Sequence, residues 1–464
     1  MKKYDTIIVG GGPSGMTAAL WCARDGQRVL LMDRCDRIGK KILVTGNGKC
    51  NLTNFRQSPD CYRSETPEAA AAVLSAFGQE DAMELFRSLG ILTRDRDGYV
   101  YPYNEQAASV RAAFESAVLN RDGLEVLTET SVTGIRRIKD GFQVSAEAYF
   151  AGKTGSAHGR QFFCRSLLIA TGGLAGVKLG CDGSGYGLAK ALGHHIIPPL
   201  PALTALKSSA PFLKKLSGVR NQAAITLQVD GRKVCRERGE LQWTDYGISG
   251  VAIFQISRFA ILALEEGKAV QLSLDFMPEY SAGEVESLLH SGLEACPYKS
   301  FEELLGGILP AKLVPVVLRE ASLPTKQGEP NRKRSGKADD RAILRERPRQ
   351  AKTQPLSGGT SSAGAIQIRH GGTSDDNFKR LAAVIKGFSL RISGYMGYEK
   401  AQVTRGGIDM TEVTENLESR ICPGLFFAGE VLDVDGTCGG YNLQWAFSSG
   451  SVAGEAAWNR NRRS

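Results

Sequence analysis

The stretch YDTIIVGGGPSG, residues 4–15, constrains this chain more than any other. Residues 4–9 are a short apolar run rich in β-formers, which predicts a strand. Gly10, Gly12 and Gly15 then follow in the spacing GxGxxG. The first permits a tight turn, the second lets backbone approach a pyrophosphate, and the third lets a helix lie close on the strand. Pro13 and Ser14 complete the turn. Residues 16–24 read as a helix whose N–H groups point at the phosphates. Asp25 and Gly26 end it, residues 28–32 read as a second strand, and Asp33 stands at its tip with Arg34 beside it. An acid there, 18 residues past Gly15, accepts from ribose hydroxyls. Strand, turn, helix, strand and acid in that order predict an α/β dinucleotide-binding unit.

Three further stretches indicate which dinucleotide. Residues 124–135 (LEVLTETSVTGI) read as a strand beside the adenine, with Val132 near the contact. Residues 166–173 (SLLIATGG) read as a buried strand ending at Thr171 and Gly172, where backbone again comes close to a cofactor. Residues 423–430 (PGLFFAGE) read as a turn, a buried strand and then Gly429 and Glu430 at its tip, with Glu430 placed against a ribityl hydroxyl. These pieces in this order favour FAD over NAD. The stretch GEVLDVDGTCGGYNLQWAFSSG, residues 429–450, adds a second glycine-rich turn and a helix from about residue 442. The two ends of the chain are therefore expected to share one discontinuous domain. Gly440, Tyr441, Asn442 and Leu443 would cap the flavin, with a positive helix N-terminus at its pyrimidine edge.

Composition narrows the classes. The chain has 464 residues, 42% of them hydrophobic, so it can build more than one core. No apolar run reaches the ~18 residues of a membrane span. Asp5 interrupts the N-terminal apolar stretch too early for a signal peptide, so a cytoplasmic protein is expected. The ten cysteines include no CxxC pair, which argues against a disulfide reductase, and no group has zinc-ligand spacing. They read as reduced thiols, with Cys50 and Cys438 set apart because both lie in glycine-rich motifs. The net charge of +9 is concentrated in residues 326–352, which carry ten lysines and arginines against four acids. That stretch has no aromatic residue for base stacking.

The stretches RIGKKILVTGNGKCNLTN (37–54), RGELQWTDYGISG (238–250), KAQVTRGGIDMTEV (400–413) and residues 429–450 together resemble the BaiN/YhiN-like flavoproteins, bacterial FAD-dependent oxidoreductases. The resemblance runs from residue 1 to about 325 and resumes near 380. It implies three parts. An FAD-binding Rossmann-type domain comprises 1–196 and 406–464. A β-barrel-like inserted domain comprises 197–277 and 385–405. A small helical domain comprises 278–384. Residues 326–378, basic and then rich in Gly and Ser, depart from the family and read as a mobile surface segment. The family includes reductases of 3-oxo-Δ4 steroid or bile-acid substrates and oxidases of aminoacetone.

Within this frame Lys41 and Asn47 are the expected cofactor contacts of the loop after Asp33. The GxGxG of residues 182–193 reads as a turn into a helix of the FAD domain, because no strand directly precedes it. NAD(P)H, as the expected electron donor, would then dock transiently at the flavin. Reduction of a conjugated C=C requires a hydride from flavin N5 and a proton for the neighbouring carbon. Tyr246, in a glycine-flanked loop, and Tyr441 are the candidate proton donors. His194 and His195 read as a helix cap or core feature. Three functions stay open: an NAD(P)H-driven reductase, an amine oxidase using O2, and an RNA-associated flavoprotein.

Overall fold

The computed structural model describes residues 2–150, 153–154, 159–325 and 375–463. A mostly parallel sheet forms around the strand Lys2–Val9, which pairs in parallel with Val29–Met32 on one side and with Arg160–Ile169 on the other. Val29–Met32 pairs with Leu124–Leu127, and Leu425–Phe427 pairs with the end of Arg160–Ile169, both in parallel. The central strands are buried on both faces, so they read as continuous apolar runs rather than alternating ones. An antiparallel ribbon, Thr130–Ile138 with Gly141–Phe150, extends one edge. The single strand expected over 124–135 is thus two. Glu129 takes a left-handed φ of 49°, which breaks the run and sends its halves to different partners.

The helix Pro13–Cys22 follows the first strand. The last helix, Tyr441–Arg462, lies against it. Glycine permits the approach: a Cβ at Gly450 would stand 2.4 Å from the Ser14 carbonyl oxygen, and one at Gly454 would stand 2.8 Å from that of Ala18. The end of the helix is pinned as well. Asn461 donates to Thr6 Oγ1 at 2.9 Å and accepts from Ser166 Oγ at 2.8 Å, both buried. The first and last segments therefore share one core, as expected.

A second sheet runs in the order Phe388–Ile392, Val270–Asp275, Arg220–Val229, Arg232–Trp243, Gly247–Ser249, Leu206–Lys207, Gly394–Tyr395. Its first and last strands are consecutive in the chain, so the sheet curls until its ends meet, which makes it barrel-like. The two sheets are joined through Ile196–Ala202 paired with Val403–Ile408. The register slips between Ile197 and Leu200, where Pro198 and Pro199 have no N–H to give. The helix Val251–Glu265 follows Gly247–Ser249.

Compactness divides the chain into two units, Met1–Ser273 with Leu390–Ser464, and Leu274–Ser389. The second holds the helices Ala282–Ala295, Phe301–Leu305, Val314–Glu320 and Asp375–Lys386. Ser281 and Ser300 cap the first two, each in a reciprocal box with Glu284 or Glu303. Leu289, Leu305 and Leu309 are buried while Leu288 is exposed. Most of the segment expected to be mobile, 326–374, lies outside the described residues. Residues 375–378 do not fit that expectation: they open the helix Asp375–Lys386, and Phe378 is buried. Among the described residues, no helix is long and apolar enough to cross a membrane.

Candidate active site

One cavity of about 910 Å³ opens in the first unit, at the carboxyl ends of the parallel strands. Gly10, Gly12, Pro13 and Ser14 line it, with Asp33 and Arg34, Lys41 and Asn47, Val132, Thr171 and Gly172, Glu430, and Gly440, Asn442 and Leu443. Segments far apart in the chain therefore meet at one surface, as the sequence predicted.

Asp33 is held by backbone. Its Oδ2 accepts from the Gly11 N–H at 2.6 Å and its Oδ1 from the Cys35 N–H at 2.7 Å. Burial raises its pKa while these donors pull it back. Lys41 Nζ meets Glu430 Oε2 at 2.5 Å, and Glu430 Oε1 accepts from the Thr404 N–H at 3.0 Å. Burial opposes the Lys41 ammonium, but its negative surroundings, chiefly Glu430, leave the pKa raised. The turn before Glu430 is fixed by the last helix. Ser449 Oγ accepts from the Gly429 N–H at 2.9 Å, and Trp445 Nε1 donates to the Gly429 carbonyl at 3.1 Å. Arg34 is paired with Asp182 and lies over the Tyr149 ring.

Several expected residues stand behind the wall rather than on it. A Cβ at Gly15 would fall 1.8 Å from the Gly10 carbonyl oxygen, so this glycine serves helix–strand packing. Gly429, at φ +79°, lets the strand tip approach Ser14. Tyr441 turns away: its hydroxyl donates to the Arg56 carbonyl at 2.8 Å and its ring meets Tyr62 edge-on. Tyr246 does not line the cavity. It is exposed, and its carbonyl accepts from the Ser208 N–H in a turn of the second sheet. Tyr395 and Tyr398 are engaged with Glu265 and the Pro199 carbonyl. Asn442 reaches the wall, but its side chain closes the turn, accepting from the Gly436 N–H at 2.7 Å and donating to the Gly436 carbonyl at 2.8 Å. His194 is a core residue. Its Nε2 lies 2.8 Å from Ser419 Oγ, its ring edge faces Phe427, and burial lowers its pKa.

The wall fits a dinucleotide with a flavin. Two helices, Pro13–Cys22 and Tyr441–Arg462, begin at the cavity, and neither has a side-chain N-cap. Their first N–H groups are therefore left for a ligand, and both positive ends favour an anion. A Cβ at Gly12 would meet nothing within 4 Å, so that position is open to an incoming group. Residues 10–15 suit the pyrophosphate, Asp33 and Val132 the adenosine, and residues 439–443 the flavin edge.

The model of the HI0933-like protein Rossmann domain matches residues 4–456. The chain belongs to that family. It is an FAD-dependent oxidoreductase. This HI0933-like chain is 37% identical to a 3-dehydro-bile acid delta(4,6)-reductase of Clostridium scindens, over 98% of each chain. It is 28% identical to a ribosomal RNA dihydrouridine synthase of Escherichia coli, over 97% of this chain and 96% of that one. It is likewise 28% identical to a ribosomal RNA dihydrouridine synthase of Haemophilus influenzae, over 97% of each.

The HI0933-like site also uses residues that sequence reasoning passed over. Tyr99, Tyr101, Lys49 and Val251 line the cavity, as does Cys438, which its glycine-rich motif had already set apart. Val251 opens the helix Val251–Glu265, and further along it Gln255 Oε1 accepts from the Cys438 N–H at 2.9 Å. Thr404 Oγ1 accepts from the N–H groups of Leu174 and Ala175 at 2.8 and 2.9 Å, steadying the loop after Gly172. The alternation of YVYP, residues 99–102, signals a half-buried strand, but nothing in the sequence joins that strand to residue 10.

Proposed function

We propose that this enzyme reduces a carbon–carbon double bond conjugated with a carbonyl, on a steroid-like small molecule, with NAD(P)H as electron source. The observation that carries the reading is the relatedness, over 98% of both chains, to a protein named 3-dehydro-bile acid delta(4,6)-reductase. The cavity supports it. Val44, Tyr99 and Val251 line it and yet remain exposed, so its wall offers apolar surface to a ligand. Bound FAD would supply hydride to the electron-poor carbon. The domain formed by 1–196 and 406–464 would hold that cofactor through the residues described above, with Lys41 and Glu430 among them. The neighbouring carbon also needs a proton, and the tyrosines on the wall are Tyr99 and Tyr101. Burial raises the Tyr101 hydroxyl, so it keeps its proton at neutral pH and can donate it. Tyr246 and Tyr441, the donors expected from sequence, give way to these two in the proposal.

A second reading has its own support in the two relatives named ribosomal RNA dihydrouridine synthases. Dihydrouridine is uridine whose ring double bond, conjugated with a carbonyl, has been saturated. The same addition of hydride and proton would serve it, and the basic stretch 326–352 would attract phosphates.

Anaerobic stopped-flow on the yellow holoenzyme tests both readings. NADH or NADPH should bleach the flavin absorbance, and a 3-oxo-Δ4 steroid should restore it without oxygen. Restoration by unmodified ribosomal RNA instead would favour the second reading. Bleaching by an amine, with recovery only in air, would replace both with an oxidase.

A further inference from the structure

The cavity mouth carries a second, charged feature. The hairpin Thr93–Arg96 with Tyr99–Pro102 pairs Arg94 with Tyr101 and Arg96 with Tyr99. Residues directly opposite in an antiparallel pair share a face. Both arginines and both tyrosines therefore stand on the same side, the side whose tyrosines line the cavity, while Asp95 pairs with buried Val100 on the other. Asp95 is committed there, its Oδ1 accepting from the Gly98 N–H at 2.7 Å.

Glu105 collects the cations of this face. Its Oε2 lies 3.2 Å from Lys49 Nζ and its Oε1 lies 3.6 Å from Arg94, with Arg96 also paired to Oε1. One carboxylate thus faces three cations, and local charge is left over. Glu105 is mostly covered, whereas Lys49 and Arg96 are each about half exposed. Arg94 is steadied over the Tyr103 ring at 4.1 Å. Lys49 itself lines the cavity, beside the exposed apolar groups of Val44 and Tyr99. Lys49 on the wall, with Arg94 and Arg96 gathered beside it, outnumbers Glu105, and apolar surface next to that surplus suits a molecule with an apolar body and an anionic end.

We infer that Lys49, Arg94 and Arg96, gathered on Glu105, form an anion-recognition rim that selects molecules bearing a carboxylate or phosphate at the end that stays outside the cavity. The inference rests on the small-molecule reductase reading, and the anion has two possible owners. It is the carboxylate of a steroid acid, or it is the extra phosphate of NADPH.

The test is equilibrium titration of the oxidised holoenzyme, followed by flavin absorbance and by calorimetry. The probes are a 3-oxo-Δ4 steroid acid, its methyl ester, and NADP+ and NAD+, which stand in for NADPH and NADH because they bind without reducing the flavin. Wild type should bind the acid more tightly than the ester, or NADP+ more tightly than NAD+. In Lys49→Gln and Arg96→Gln that ratio should fall about tenfold, and more in the double variant. A fall in the acid-to-ester ratio assigns the rim to substrate, and a fall in the NADP+-to-NAD+ ratio assigns it to the donor. Unchanged ratios, or equal losses for charged and uncharged probes, overturn the inference while reduction of the ester keeps the reductase reading alive. If neither steroid binds, the reductase reading falls and takes the inference with it.

Discussion

Arg258 and Asp435 form a buried pair in which Arg258 Nε stands 3.0 Å from both carboxylate oxygens, with side-chain exposures of 12% and 3%. Asp435 opens the turn that lines the cavity, and Arg258 stands on the helix Val251–Glu265. Gln255, one turn earlier on that helix, holds Cys438 from the same side. Two side chains of one helix thus position the turn that leads into the last helix.

Breaking this pair should be costly in a pH-dependent way. Burial pushes the Asp435 carboxyl up to about 6, against the pull of Arg258. The folded chain therefore takes up this proton at a pH where the unfolded chain has lost it. Stability linked to such a proton is full below the unfolded value and is lost as pH rises through the folded one. Arg258→Gln should destabilise by about 3–5 kcal/mol near neutral pH, because it leaves a buried charge alone. Urea melts should show a larger deficit near pH 8 than near pH 5. An equal deficit at both would contradict the assignment.

The close crossing of the first and last helices can be tested at Gly450. Gly450→Val drives a side chain into the Ser14 backbone and should cost about 1–3 kcal/mol or more. It should also loosen FAD, because Ser14 lines the cavity. Gly187→Ala, on an open helix face, should be neutral or stabilise by up to about 1 kcal/mol. Thermal melting and the flavin retained after gel filtration report the two effects.

Gly12 separates folding from binding. A methyl group there meets no protein atom, so apo-protein carrying Gly12→Ala should melt with wild type. The methyl projects where a phosphate would lie, and FAD affinity should fall by at least about tenfold. Gly15→Ala should instead fail at folding, since its Cβ overlaps the Gly10 carbonyl. Fluorescence titration of apo-protein with FAD measures the difference.

Lys41 and Glu430 should behave as a unit. In FAD-free protein, Lys41→Met, Glu430→Gln and the double variant should give a coupling energy of about 1–3 kcal/mol by chemical denaturation. Additive effects would mean that the pair is not formed in solution.

The tyrosines divide by location. Tyr101→Phe should lower the rate of flavin reoxidation by the enone by about 10²-fold or more while leaving flavin reduction by the nucleotide intact. Tyr441→Phe should lose about 0.5–1.5 kcal/mol of stability with its bond to the Arg56 carbonyl, and little of the rate. Rapid-scan traces of the two half-reactions decide between them.

Much of this site follows from local chemistry that a sequence carries openly. Gly10, Gly12 and Gly15 are needed for a turn that bears no side chain, and Asp33 ends a strand whose burial is written in four consecutive apolar residues, Val29–Met32. The pairing of the chain's two ends was also legible, because a glycine-rich turn followed by a helix has one obvious use beside a flavin. Val132, Glu430 and Gly440 also reach the cavity, as do Lys41 and Asn47, which the family resemblance singled out. Tyr246 shows the limit. A glycine-flanked loop says that backbone turns there, not which way the side chain faces, and pairing of the strands around it left Tyr246 in solvent. Only strand register put Arg94 and Arg96 on the face of Tyr99 and Tyr101, and only tertiary contact brought Glu105 to Lys49. Backbone demands are local and repeat wherever a ligand needs bare backbone, so the sequence by itself determined the cofactor and the fold that holds it. Which side chains meet at the mouth depends on contacts between segments distant in the chain, and the tertiary structure alone decided those.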